Sequence, residues 1–210
     1  MNRPCPVSTR TVIWALSSLF IVGSLAGPAL GAEAKESAEA RLAKGEVLIT
    51  TRNVKGYDLP ALTVVGVVDA APQKIWKIVS GCRDMHKHMS SVVRSRLVME
   101  KGNVHQCETE IHVPGPYSNL VSTTEAVHHP GPPVWKREWH LVRGDYKRID
   151  ASWTLKTFRG DPNRTQATYR IHAVPDIMLP DFLMKFAHKR GMKKLFRDVR
   201  RAVGAPLYED

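Results

Sequence analysis

The stretch DFLMKFAHKRGMKKLFRDVRRAV, residues 181–203, decides how the rest of the chain is read. It follows Pro180, and Asp181 is placed to act as an N-cap that accepts from the first free backbone N–H groups. Met192, Leu195, Phe196, Val199, Ala202 and Val203 recur at i, i+3, i+4, i+7, i+10 and i+11, one apolar stripe of helical period. Lys193, Lys194, Arg197, Arg200 and Arg201 fall on the opposite face, with Asp198 the only acid among them. Phe182, Leu183 and Phe186 form a second apolar patch rotated away from the first, and Gly191 lies between the two. The spacing predicts a long terminal helix whose C-terminal half docks on a core while its N-terminal half carries aromatics elsewhere. Its surface has two readings. One is a solvated basic face. The other is a lid over an apolar cavity, hinged at Gly191, with Lys193, Lys194, Arg197 and Arg201 facing anionic lipid headgroups.

Upstream of that helix the period changes from 3.6 to 2. Cys107, Thr109, Ile111 and Val113 alternate with Gln106, Glu108, Glu110 and His112. Val93, Ser95, Leu97 and Met99 alternate with Arg94, Arg96 and Val98, and Trp135, Arg137, Trp139 and Leu141 with Lys136, Glu138 and His140. Ala151, Trp153 and Leu155 form another such row, as do Ala167, Tyr169, Ile171 and Ala173. Turn clusters at 101–103, 114–116, 129–133, 144–145 and 159–163 separate these runs. Residues 46–51 and 62–69 read as two earlier strands. A helix then opens at Ala71-Pro72, with Asp69 as its expected cap, and ends at Gly81. The order is strand, strand, helix, about six antiparallel strands, long helix. Alternation gives each strand one buried and one wet face. The expected class is α+β, a curved antiparallel sheet around the terminal helix with a cavity between them.

At the N-terminus, Arg3 and Arg10 precede an apolar run and then small residues at 29–34, the pattern of a secretory signal peptide. The expected organisation is a signal peptide at 1–32, a leader segment at 33–44 and one domain at 45–210. The 31 basic residues, less Arg3 and Arg10, still outnumber 20 acidic ones. Such a charge favours anionic partners. For an exported, periplasmic or secreted chain that means a membrane surface and not nucleic acid. Of the three cysteines, Cys82 and Cys107 lie in the domain. Cys82 is placed at the end of the first long helix and Cys107 inward on a strand, and the two are expected to be unbonded.

Several of these residues resemble the START-like, Bet v 1-like superfamily (SRPBCC), the helix-grip fold, and within it polyketide cyclases and Coq10-type coenzyme Q-binding START proteins. The resemblance rests on Val65-Gly66-Val67-Val68-Asp69-Ala70-Ala71-Pro72 with Ile75-Trp76, on 148–155 with Ala-Ser-Trp-Thr-Leu, on Thr168-Tyr169, and on Leu179-Pro180-Asp181-Phe182-Leu183. It implies an internal cavity for a lipid, isoprenoid or polyketide, with no metal and no cofactor.

Arg137 is the unusual residue, a cation on the row of Trp135, Trp139 and Leu141. If that row faces the cavity, a ligand carboxylate or phosphate satisfies the guanidinium. An internal partner, or a bulge that turns it outward, is the alternative. The expected ligand-binding set is Arg137, Trp135, Trp139, Trp153, Phe182, Phe186, Leu97, Met99, Ile111 and Tyr169; Trp153 reads equally as core. Met85-His86-Lys87-His88-Met89, with Cys82 nearby, offers soft and imidazole ligands for copper, but not a complete set at recognised spacing. Glu108, Glu110, His112, Asp150 and His172 all fall on the face read as exposed, so no catalytic residue is assigned. The expectation is a monomeric, non-enzymatic carrier of a hydrophobic molecule. A cyclase- or lyase-like enzyme using the same cavity, and a metal-handling protein, stand as alternatives.

Overall fold

The computed structural model describes residues 36–177 and 190–208. A short helix, α1 (Ala38–Ala43), precedes strands β1 (Leu48–Arg52) and β2 (Ala61–Val68). Helix α2 (Pro72–Ser80) and the single turn α3 (Met85–His88) follow. Six strands come next: β3 (Val92–Lys101), β4 (Val104–Ile111), β5 (Leu120–His129), β6 (Trp135–Gly144), β7 (Tyr146–Phe158) and β8 (Asp161–Pro175). Helix α4 (Met192–Ala202) closes the described chain. The strands make one curved antiparallel sheet in the order β1-β2-β8-β7-β6-β5-β4-β3. Apart from α1 and α3, the described elements follow the order the sequence predicts; the expected first half of the terminal helix, with its Asp181 cap, lies outside the described residues. On β8, buried Thr165, Ala167 and Tyr169 alternate with less buried neighbours, as period 2 requires.

Helices α2 and α4 cover the concave face. Ile75, Trp76 and Val79 of α2 and Phe196 and Val199 of α4 bury against Val64, Val68, Trp153 and Leu155. Phe196 is fully buried, which stabilises by roughly 1.5–3 kcal/mol. Gly66 makes room for it: a Cβ there would lie 2.6 Å from the Phe196 ring.

Two assignments on α4 are corrected. Asp198 and Arg200 are buried, not part of an exposed basic face. Asp198 accepts from the Ser90 backbone N–H at 2.9 Å and from the Ser90 hydroxyl. Arg200 donates to the carbonyls of Val67 (2.9 Å) and Gly45 (2.7 Å) and stacks over Tyr208. The sequence reading puts both on the face opposite the apolar stripe; they instead flank it, where the neighbouring loop and strand carry polar backbone that needs them. Lys194, Arg197 and Arg201 are exposed and Lys193 is half-buried.

The cap of α2 also differs. Ala71 holds the N-cap position without a side-chain bond, and Pro72 fills the first turn. Asp69 instead accepts from Arg164 at 2.7 Å and from the Tyr208 hydroxyl. Residues 36–44 join the folded body. Ser37 caps α1 by accepting from Ala40 N–H, and Leu42 packs on Val67 and Phe158.

The thiol expectation is overturned. Cys82 and Cys107 form a disulfide, with Cα atoms 5.9 Å apart. Cys107 points inward from β4 as predicted, and the chain leaving α2 crosses that same face. The proximity arises in three dimensions and has no local sequence signature.

Candidate functional site

Between the concave sheet and the helices lies a cavity of about 180 Å³. Ile78 and Val79 from the end of α2, Met85 from α3 and Met89 just beyond it form one wall, and Leu195 of α4 adds to it. Strands β4 and β5 contribute Thr109, Ile111, Ser122 and Thr124, a stripe with three hydroxyls. Strands β6 to β8 contribute Arg137, Trp139, Tyr146, Trp153 and Tyr169. Pairing in register puts Arg137 beside Trp153, and Trp153 beside Tyr169, in one row across the sheet.

Arg137 is only 3% exposed. Its Nη1 donates to the Val79 carbonyl at 2.7 Å, and its guanidinium stacks on Trp139 at 4.6 Å. Its Nε is buried without a partner. Burial pushes the guanidinium down to about 10. Burial also pushes the Tyr146 hydroxyl up to about 12, with Asp145 adding to the effect, and raises that of Tyr169.

Of the residues expected from sequence, Arg137, Trp139, Trp153, Tyr169 and Ile111 meet in this cavity. Leu97 does not. It lines a separate outer depression with Trp76, Cys82, His105 and His128. Trp135 packs on Trp76, ring centroids 5.6 Å apart, in the core beside the cavity. Met99 is not among the cavity's described lining residues either; it pairs with Gln106 toward the β3–β4 turn, past a register shift after Leu97. Phe182 and Phe186, and with them the lid reading, lie outside the described residues.

Sequence reading missed Tyr146, which follows the turn at 144–145 and carries no assigned role, and the wall formed by Met85 and Met89. In the 85–89 stretch these two thioethers face the cavity, while His86 Nδ1 bonds Ser95 Oγ at 2.9 Å. Glu108, Glu110 and Asp150 sit on the outer face, paired with Arg94, Arg96 and Arg148. His172 is on that face but is not exposed, which corrects the expectation. The loop before β2 covers it, with the Leu59 carbonyl 3.0 Å from Nε2 and Tyr57 edge-on.

Residues 68–200 match the family described as polyketide cyclase / dehydrase and lipid transport. The chain belongs to this family. Its fold is that of START-like proteins. A STAR-related lipid transfer protein from Xanthomonas axonopodis superposes with TM-score 0.66 at 18% identity, covering 81% of this chain and 97% of that one. Human StAR-related lipid transfer protein 5 gives 0.64 at 12% identity, covering 76% and 82%. The Zhui aromatase/cyclase from Streptomyces sp. R1128 gives 0.52 at 12% identity, covering 76% and 93%. No curated protein matches the sequence. At such identities the neighbours establish the family's helix-grip architecture and not its chemistry in this chain.

Proposed function

We propose that the protein binds and carries a hydrophobic molecule in this cavity without transforming it. The lining of the cavity carries the reading. Its described residues include no carboxylate, no imidazole and no free thiol, since Cys107 is bonded to Cys82. Acid–base catalysis needs a group that titrates near the working pH. The two tyrosines are held above their ordinary range and offer no phenolate at neutral pH. Extraction and native mass spectrometry of the purified protein test this directly. A co-purifying lipid-like molecule released unchanged is expected; a ligand converted into product would establish the cyclase- or lyase-like alternative.

Export and membrane docking complete the proposal. A disulfide supports an oxidising compartment, in line with the N-terminal pattern. Lys194, Arg197 and Arg201 are exposed on α4, and each cation near an anionic surface contributes about 1 kcal/mol. Arg201 also pairs with Asp198, which reduces its share. Charge reversal at Lys194 and Arg197 is expected to abolish sedimentation with phosphatidylserine vesicles at low salt and leave the fold intact. Binding that ignores both salt and charge reversal would remove the membrane from the proposal.

A further inference from the structure

A pocket for hydrocarbon alone has no use for a guanidinium. Burying one with its donors incompletely matched is unfavourable, and proteins retain such groups where something completes them. Arg137 is buried in the cavity wall, and among the described residues no carboxylate pairs with it. The Val79 carbonyl takes one of its five donors and the Trp139 ring covers one face. Nε remains unpartnered. Tyr169, two strands away in the same row, brings a second polar group to the same cavity. Its ring lies 4.7 Å from Trp153 and 6.0 Å from Trp139, centroid to centroid. The polar groups are thus all on the sheet side, the guanidinium on β6, phenols on β7 and β8 and hydroxyls on β4 and β5, while Ile78, Met85, Met89 and Leu195 make the facing wall apolar.

We infer that the ligand is an amphipathic acid bound head-in, its carboxylate on Arg137 and its hydrocarbon body against the apolar wall. The inference rests on the carrier reading and sharpens it. A planar carboxylate matches the planar guanidinium and accepts where Nε has no acceptor. Among its described lining residues the cavity has no carboxylate to pair with a primary amine headgroup. At about 180 Å³ it lies below the ~300–1,000 Å³ usual for drug-sized ligands, which favours a single chain or small ring system over a two-chain phospholipid.

Decanoate, decanol and dioctanoyl phosphatidylcholine serve as probes, measured by calorimetry against the delipidated full-length protein. A charge-assisted hydrogen bond predicts that decanoate binds about ten- to a hundredfold tighter than decanol. Arg137→Met is expected to bring decanoate down to the level of decanol and leave decanol unchanged. Arg137→Lys is expected to keep part of the preference. Should Arg137→Met fail to fold by circular dichroism, the acid-to-alcohol ratio of the wild type and of Arg137→Lys decides alone. Equal binding of acid and alcohol by the wild type would overturn the head-in acid and leave the carrier reading standing. Preference for the phosphatidylcholine would do the same. No binding of any probe, together with no extracted lipid, would remove the carrier reading and this inference with it.

Discussion

Two arginines in this molecule are buried to the same extent, and their surroundings give them opposite roles. Arg137 and Arg200 are each 3% exposed and each stacks on an aromatic ring, at 4.6 and 4.7 Å. Arg200 bridges the Val67 and Gly45 carbonyls and so ties α4 to β2 and to the turn after α1. Arg137 makes one backbone bond, keeps an orphaned Nε and looks into a cavity. Burial fraction alone does not separate a structural cation from a functional one. The count of satisfied donors does.

The largest expected effect falls on the structural member. Arg200→Met strands two buried carbonyls, and urea unfolding is expected to show a loss of about 3–5 kcal/mol. A loss below that of Arg137→Met would break the distinction. Next comes the wall that gives Arg137 its one bond, since Val79 lies just before Cys82. Removing the disulfide with a Cys82→Ser, Cys107→Ala pair opens a loop of sequence separation 25, worth about 3.5 kcal/mol by chain entropy. The midpoint of thermal unfolding, with and without reductant, reads this.

His128 pairs in register with Arg137 and reports its charge. Burial, then the Arg137 cation, then His105 and His129, hold it down at about 4 against an ordinary 6.5. The unfolded chain therefore takes up a proton first as pH falls. Stability is expected to drop by about 1–3 kcal/mol between pH 6.5 and 4 and to level off below that window. His128→Phe should flatten the slope in urea titrations at several pH values, and Arg137→Met should shallow it. The smallest effect is the stability change of Arg137→Met itself, under about 1 kcal/mol in either direction, because an apolar side chain of similar length removes a buried charge. A loss as large as that of Arg200→Met would make Arg137 structural.

Much of this was legible before any coordinates. Alternation placed Arg137, Trp139, Trp153 and Tyr169 on one face, because period 2 is a property of each strand by itself. The errors arise where one element meets another. Leu97 and Met99 alternate as expected but lie toward the β3–β4 turn, away from the cavity, and where along β3 the cavity falls depends on the rest of the sheet and not on β3 alone. A loop 113 residues away in sequence buries His172. The Cys82–Cys107 bond, the use of Met85 and Met89 as cavity wall, and the inward pull on Asp198 and Arg200 are likewise contacts between distant segments. The helical stripe on α4 was correct for Phe196 and Val199. It was wrong for the two ionic residues beside them, because backbone carbonyls and N–H groups are invisible to a hydrophobicity pattern.

The sheet order has a consequence for how the molecule is made. Strand β2 pairs with β8, Leu62 opposite Ile171 and Val68 opposite Thr165, and Ser90 waits for Asp198 across 108 residues. A chain that becomes available N-terminus first, at a ribosome or across a membrane, must therefore hold Val64, Val67 and Val68 without their β8 partners until nearly all of it has emerged. Topologies dominated by such distant pairings fold in milliseconds to seconds, and their unfinished strands are exposed to aggregation in the interval. Truncated chains that stop short of β8 should bind holdase chaperones, and release should come only once the last strand is free to close the sheet.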